Sequence, residues 1–346
     1  MRIDRTDIID GPIIDVDGGV WYSTDSISDS TPHNVTIAES KNNYHRLNLP
    51  PITRASRGLS TPVFLKTNGS LISASSSFIL SEQLKKLEVA DMIVGVVSLL
   101  WTYSSYGIVL TKNGILHWCT ITESRMYIDH TIATNVKCMD IIVGYYRGRY
   151  PTERTIVVCL TDDRLQLICS GSSLIPMREF DLRLEIPEGV RSIERKIITT
   201  NLGRILEISH DDIREDATPC SIMNSIVLKE LAVIDDLVDA INGYNTWCVI
   251  AGNSYIVYSN RKKSENKSDN ESNKETQNIH SIHFNCKILG FINSRTQLSD
   301  NYVEDEDSNI YRIQVDRLKK IELPMKTSFR TIVRRGSTKP SKFCRS

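Results

Sequence analysis

The feature that most limits what this chain can become is a short pattern that returns seven times. In Ile108 to Trp118 it reads I-V-L-T-K-N-G-I-L-H-W: an apolar run, a polar step ending in Asn-Gly, and a second run. Two β-prone runs joined by Asn-Gly predict a hairpin, because both turn residues tolerate the positive φ that a tight turn requires. The pattern recurs in Val63 to Ser73, Ile156 to Ile168 and Ile197 to Ile208, with weaker copies in Ile13 to Tyr22, Trp247 to Tyr258 and Tyr302 to Ile313. Taking Gly19, Gly69, Gly114, Asp163, Gly203, Asn253 and Ser308 as the turn residues, the successive spacings are 50, 45, 49, 40, 50 and 55.

A strand-built period of this size leaves room for about four strands per repeat. It predicts an all-β chain forming a β-propeller of seven blades, each of about four antiparallel strands, with the ring closed by pairing the terminal strands. The 346 residues exceed the usual size of a single core, and a repeat fold escapes that ceiling by adding one small core per repeat. We therefore expect one propeller domain over residues 1–330 and a basic flexible tail over 331–346. Asp181 to Ile193 and Ile222 to Ile241 supply strands of later repeats, Val227 to Ile241 included, although that stretch also satisfies helical spacing. Ser81 to Val89 is the one short stretch with helix-like apolar spacing. Residues 24–50 read as a long loop with one outer strand. Arg261 to Gln277 contains no apolar residue and cannot bury enough surface to order itself, so a disordered insert is expected there.

Lys+Arg and Asp+Glu both total 42, so no global field draws the chain to nucleic acid or an anionic membrane. The longest apolar stretch, Met92 to Trp101, is broken by Gly95 and Ser98 and is far shorter than the roughly 20 residues a membrane span needs. Asp residues at positions 4, 7 and 10 stand where a secretory signal would carry its apolar core, which predicts an intracellular protein, cytoplasmic or nuclear. The eight Cys are spread singly, mostly in apolar runs, and read as small core residues.

Val97 to Trp118 (V-S-L-L-W-T-Y-S-S-Y-G-I-V-L-T-K-N-G-I-L-H-W) resembles a repeat of the regulator of chromosome condensation family. Those repeats carry a small-residue and aromatic approach, an apolar-Leu-Thr step, an Asp/Asn-Gly turn and a Tyr/Ser-Trp exit. Leu110, Thr111, Asn113, Gly114 and Trp118 fit this pattern; Leu65, Thr67, Asn68 and Gly69, or Leu160, Thr161 and Asp162, fit it in part. The resemblance implies a seven-bladed propeller. The family pattern continues past Trp into a Gly-x-Asn-x-x-Gly-Gln-Leu-Gly loop, whereas Trp118 is followed by C-T-I-T-E-S-R and no repeat of this chain carries that loop. The resemblance therefore implies blades and carries over no nucleotide-exchange residues.

The chain has no Walker-type loop, no G-x-S-x-G elbow, no H-E-x-x-H and no C-x-x-C, so neither cofactor, metal nor catalytic activity is expected. His280, His283 and Cys286 could approach a metal from a turn, or they could lie along one strand, where positions i and i+3 face opposite ways. The acidic pairs Asp15/Asp17, Asp162/Asp163, Asp211/Asp212 and Asp235/Asp236 suit turn capping. Tyr145, Tyr146, Arg147, Arg149, Tyr150 and Arg154 form a basic, aromatic loop, the candidate partner-binding site; such a composition also suits phosphate contact with base stacking. These features predict a non-catalytic, monomeric scaffold that binds a protein partner and no membrane. A propeller enzyme working at the central channel and a chromatin or nucleic-acid adaptor are the alternatives.

Overall fold

Each hairpin pattern folds into adjacent strands of one sheet, and seven sheets form among the described residues. A computed structural model describes residues 13–15, 17–23, 36–41, 44–56, 62–99, 102–144, 154–169, 175–194, 196–210, 226–242, 246–252, 254–259, 278–283, 287–292, 302–307, 309–314 and 317–321.

Blade one holds β1 (Ile13–Ile14), β2 (Val20–Ser23), β3 (Ile37–Lys41) and β4 (Tyr44–Leu47), side by side in the order β1-β2-β4-β3. Blade two holds β5 (Ile52–Ala55), β6 (Val63–Lys66) and β7 (Leu71–Ser73). The chain then passes through β8 (Ile79–Leu80) and the short helix α1 (Glu82–Lys86). Blade three follows as β9 (Val89–Leu99), β10 (Thr102–Thr111), β11 (Leu116–Ile121) and β12 (Arg125–Ala133), with β8 paired parallel to β12. Blade four is β13 (Cys138–Gly144), β14 (Arg154–Leu160), β15 (Arg164–Cys169) and β16 (Ile175–Asp181), after which comes helix α2 (Leu182–Glu185). Blade five is β17 (Val190–Glu194), β18 (Ile197–Thr200), β19 (Arg204–His210) and β20 (Ile226–Val233). Blade six is β21 (Leu237–Asn242), β22 (Thr246–Ala251), β23 (Ser254–Ser259) and β24 (Asn278–His283). Blade seven is β25 (Ile288–Ile292), β26 (Tyr302–Asp305), β27 (Ile310–Gln314) and β28 (Arg317–Ile321).

The middle strands of blades two to five read as apolar runs because these blades are buried on both faces, so alternate side chains enter two different cores. Phe64 packs with Ile14, Val20, Tyr22 and Leu47 of blade one. Its neighbours Val63 and Leu65 pack with Val89, Met92 and Val109 of blade three. The same division separates Val157, packed against Ile93 and Ile108, from Val158, packed against Val190 and Ile198. It recurs at Ile197 and Ile198, which face blades six and four. This stack of sheets sharing cores on both sides is the β-propeller arrangement. Both short helices close such seams: Leu84 of α1 is fully buried, and Ser81 caps that helix by accepting from the Leu84 amide at 3.3 Å.

The central turns of blades one, two, three, five and seven are three-residue loops, and those of blades four and six are two-residue loops. In blade three the Gly114 amide donates to Thr111 O at 3.0 Å, and the Thr111 amide donates to Ile115 O at 2.9 Å. Only Gly114 has positive φ, at 80°, which is the left-handed position that glycine fills without strain. The carbonyl of the turn then reaches the next blade. Ile52 N donates to Gly18 O at 2.8 Å, Val89 N to Gly69 O at 2.8 Å, Val136 N to Gly114 O at 2.9 Å and Ile234 N to Gly203 O at 3.0 Å. At the remaining seam of this set, Leu182 N donates to Asp163 O at 2.8 Å. The segment entering each blade is tied back in turn, through Thr67 N to Pro51 O, Lys112 N to Glu88 O, Asn201 N to Gly189 O, Gly252 N to Asp236 O and Glu306 N to Lys287 O. A belt of backbone hydrogen bonds thus runs from blade to blade along one face.

Two turns are built around a buried carboxylate. Asp15 Oδ1 accepts from the amides of Asp17 and Gly19, and its Oδ2 accepts from Trp21 Nε1 at 2.8 Å. Asp305 repeats the arrangement, accepting from the amides of Asp307 and Asn309, from Asn309 Nδ2, and from the Tyr311 hydroxyl at 2.9 Å. Thr111, Thr161 and Thr200 serve the same turn with a hydroxyl, accepting from the amides of Ile115, Arg164 and Arg204.

Several expectations change. The first turn centres on Gly18, with φ 83°, and not on Gly19; the sixth has its positive φ at Gly252, while Asn253 and Ser308 lie outside the described residues. Residues 24–50 carry two strands, β3 and β4, because Tyr44 and Leu47 complete the blade-one sheet and its core. Blade two has three strands and blade three five, since β8 joins the outer edge of β12. The stretch Val227 to Ile241 is β20 and β21, as the repeat requires, and α1 falls within Ser81 to Val89. Each described sheet draws on one continuous stretch of chain, so the expected pairing of terminal strands is not formed by the described strands. The insert 261–277 and the tail 331–346 lie outside the described residues.

The belt predicts unequal costs for Gly→Ala. At Gly203, with φ 80°, an added Cβ would lie 2.3 Å from Ile234 O, whereas at Gly252, with φ 52°, it meets nothing within 4 Å. Denaturant melts should show Gly203→Ala losing about 2–3 kcal/mol against about 1 kcal/mol for Gly252→Ala; equal losses would show that the seam contact is unimportant. Acid should find the Asp305 turn. Burial alone would raise this carboxyl, but the donors from Asn309, Tyr311 and Asp307 outweigh it and hold the group below its ordinary value of 3.8. A depressed folded value stabilises fully above the ordinary one and is lost as pH falls through the folded one. The stability gap between wild type and Asp305→Asn should therefore be constant at neutral pH and close as the pH drops below about 4.

Candidate interaction faces

Antiparallel order assigns every connection to one of two faces. The first strand of a blade runs away from the belt, the second returns to it, and the central turn and the link to the next blade both sit on the belt side. The connections from first to second strand and from third to fourth sit on the far side. The central turns of the belt face are short, as are the links 48–51, 134–137, 234–236 and 284–287, while the links 74–88 and 182–189 are longer and hold β8 with α1 and α2. On the far face the chain leaves β13 at Gly144 and returns at Arg154, leaves β19 at His210 and returns at Ile226, leaves β23 at Ser259 and returns at Asn278, and leaves β25 at Ile292 and returns at Tyr302.

The strands that the candidate binding loop connects, β13 and β14, meet at Gly144 and Arg154 on this far face. Tyr145, Tyr146, Arg147, Arg149 and Tyr150 lie outside the described residues, while Arg154 is the first residue of β14 and pairs with Gly144 across the strands that the loop joins. The belt face has its own feature at blade five, where Leu184, Leu202 and Val233 are exposed around Arg204. Glu188 at 3.0 Å and Glu230 at 2.7 Å hold that guanidinium. Its value rises chiefly through the hydrogen bond to Glu230.

The innermost strands carry charges that motif reading overlooked. Asp91, Asp140 and Asp239 are buried in β9, β13 and β21. Their signal was present as Asp-x-Ile-x-Gly, in Asp91 to Gly95, Asp140 to Gly144 and Asp239 to Gly243. Asp91 meets Arg54 of blade two, with Nε to Oδ1 at 3.0 Å and both side chains 7% exposed, so the pair stitches two blades together. Asp91 and Asp239 also accept from the amide of the next residue, Met92 and Ala240, at 2.9 and 3.0 Å. These carboxylates are engaged in the packing of the ring. Among the described residues no three His, Cys, Asp or Glu side chains are grouped to hold a metal ion.

His280 and His283 both lie on β24, and Cys286 lies outside the described residues. Cys119, Cys159 and Cys248 are buried and Cys138 is half-buried. Burial, with Asp129 adding to it, pushes Cys119 up to about 12, and burial with Cys138 does the same to Cys159, which suits core residues and not nucleophiles. Of the acidic pairs, Asp15 serves its turn, Asp163 gives its carbonyl to the belt, and Asp236 takes positive φ at 54°; Asp211 and Asp212 lie outside the described residues.

The buried pair makes a sharp prediction. Removing one partner strands the other charge, so Arg54→Ala should cost about 3–5 kcal/mol, while the paired apolar replacement Arg54→Met with Asp91→Leu should come back to within about 1 kcal/mol of wild type. Equilibrium denaturation of the three proteins decides it; a mild Arg54→Ala would mean that this pair does not hold the blades together.

No protein-family model matches the sequence, and no curated protein matches it. No helix among the described residues is long and apolar enough to cross a membrane. Solved structures similar to the chain include the β-propeller domain of Nup133 from Vanderwaltozyma polyspora, at 11% identity and TM-score 0.43, covering 87% of this chain and 88% of that one. BBS1N, solved in complex with ARL6DN, is similar at 11% identity and TM-score 0.41 over 77% and 78%. The Aleuria aurantia lectin is similar at 10% identity and TM-score 0.41 over 79% and 94%. The chain is a β-propeller; its described residues form seven small sheets, antiparallel except where β8 joins β12, with cores between successive sheets from blade one to blade six.

Proposed function

We propose that this protein is a non-catalytic interaction scaffold that binds a protein partner through the far face of the propeller. The observation behind this reading is the inequality of the two faces. On the belt face the central turns are short and, from blade one to blade six, tied to the next blade by backbone hydrogen bonds, and the two longer links fold as β8 with α1 and as α2. On the far face the longer connections differ in charge: 145–153 carries Arg147 and Arg149 against Glu153, and 211–225 carries four acids against Arg214. A ring that fixes one face and varies the chemistry of the other presents a recognition surface, and rim charges set partner choice and on-rate more than raw affinity. The partial match of Val97 to Trp118 to a regulator of chromosome condensation repeat fits this reading, and the same reading assigns the protein to the cell interior.

Affinity capture from the native host, followed by mass spectrometry, tests the reading. Neutralising Arg147, Arg149 and Arg154 should weaken capture several-fold at low salt, with little effect near 1 M salt, where the screening length is only about 3 Å, and should leave the melting temperature unchanged. Capture that survives neutralisation but is lost on Leu184→Asp with Leu202→Asp would move the site to the belt face. Recovery of nucleic acid alone would favour the adaptor alternative, and reproducible turnover of a small substrate would overturn the scaffold reading.

A further inference from the structure

Three of the six large apolar residues exposed among the described residues gather on the belt face of blade five: Leu184 at 81%, Leu202 at 72% and Val233 at 59% exposure. Helix α2 buries Leu182 and, at its C-cap, Ile186, so helical spacing turns Leu184, midway between them, to the opposite side. Leu202 precedes Gly203 in the central turn, where the Gly203 amide donates to Thr200 O as that of Gly69 does to Lys66 O and that of Gly114 to Thr111 O. The matching residues of blades two and three are Asn68 and Asn113, both exposed, so the turn itself calls for a polar side chain and not for leucine. Val233 pairs with Arg204 at the end of β20. Arg204 fastens the three together. Its guanidinium donates to Glu230 Oε2 at 2.7 Å, to Glu188 Oε1 at 3.0 Å and to Glu185 O at 3.4 Å, which joins the exit of α2, the turn and the outer strand. A platform held in this way loses little freedom when something binds to it.

We propose that this surface docks a basic, amphipathic segment of a partner protein, with apolar side chains seated on Leu184, Leu202 and Val233 and flanking Lys or Arg meeting an acidic rim. The charges select that occupant. Segments 182–189, 201–204 and 230–236 carry five acids against Arg183 and Arg204. Arg204 is taken up by Glu188 and Glu230, and Arg183 reaches Asp163 of blade four at 3.9 Å. Glu185, Asp235 and Asp236 are left exposed beside the apolar centre. An apolar centre with a charged rim is the anatomy of a protein interface, and complementary rim charges choose the partner and speed encounter. The same acids repel phosphate, which turns away nucleic acid and anionic lipid. This surface is separate from the far face and does not rest on the far-face reading.

Titration of the full chain with three synthetic peptides tests the site: a Leu/Lys amphipathic peptide, its Leu/Glu twin, and a Ser/Lys peptide of the same charge as the first. The Leu/Lys peptide should bind saturably and the two controls should not. Leu184→Ser with Leu202→Ser should weaken its binding about tenfold or more. Asp235→Asn with Asp236→Asn should weaken it about threefold or more at low salt, an effect that fades near 1 M salt, where the screening length is about 3 Å. Both double variants should melt as the wild type does, because all four side chains are exposed. Neutralising Arg147, Arg149 and Arg154 should leave this binding unaltered, so the docking site and the far-face reading fail separately. Equal binding of either control peptide, or Leu/Lys binding that survives Leu184→Ser with Leu202→Ser, would overturn the proposal. So would a concentration-dependent dimer abolished by that same double variant, which would give the patch to a second copy of the chain.

Discussion

The architecture depends on a single backbone contact, the hydrogen bond from the first amide of one blade to the carbonyl of the central turn in the blade before. It requires the turn carbonyl to approach another backbone at 2.8–3.0 Å, and that approach explains the glycine. At Gly18 and Gly203 a Cβ would collide with the neighbouring blade's backbone, so the residue is demanded by position as well as by φ. The same contact ties the edge of one sheet to the next. Between the sheets so joined, side chains of both faces are sealed in cores, and the apolar runs of the sequence find their reason.

Much of this was legible because turn chemistry is local. Thr111 to Gly114 announces its own loop, and every one of the seven hairpins lies where the pattern put it. What the pattern could not show is how the loop is built. Asn113 looked like half of a two-residue turn, but Gly114 alone takes the left-handed conformation, and Thr111 closes a three-residue loop with its hydroxyl. Strand membership beyond the hairpin was less readable still. β3 and β4 sit in a Ser- and Asn-rich region, and among its described residues only Tyr44 and Leu47 are buried, too few for a period to emerge. β8 joins blade three and not blade two because Leu80 enters the core shared with Met126, a contact between residues far apart in sequence.

The chemistry of the inner strands was hidden for a related reason. An Asp in an apolar run looks like an interruption, and its meaning appears only when its partner is known. Arg54 and Asp91 are 37 residues apart in sequence and 3.0 Å apart in space, and nothing local to Arg54 signals the pairing. The three Asp-x-Ile-x-Gly stretches were nonetheless a second repeat, in phase with the hairpins, and they mark the strand nearest the centre of the ring. The basic loop, by contrast, stood out in composition. Topology adds that it joins the first and second strands of blade four, β13 and β14, whose ends Gly144 and Arg154 lie opposite the belt.

Structure and proposed function thus divide the propeller between its two faces, one fixed by backbone bonding and one free to vary. The most direct test of the belt is amide exchange at its donors. Ile52, Val89, Val136 and Ile234 lie at the rim, next to exposed turns, yet their amides should exchange as slowly as those of Val109 and Val158 in the middle strands, because each is bonded across a seam. Exchange at the rate of open surface amides would mean that side-chain packing alone holds the blades, and would contradict the belt as the contact on which the repeat depends.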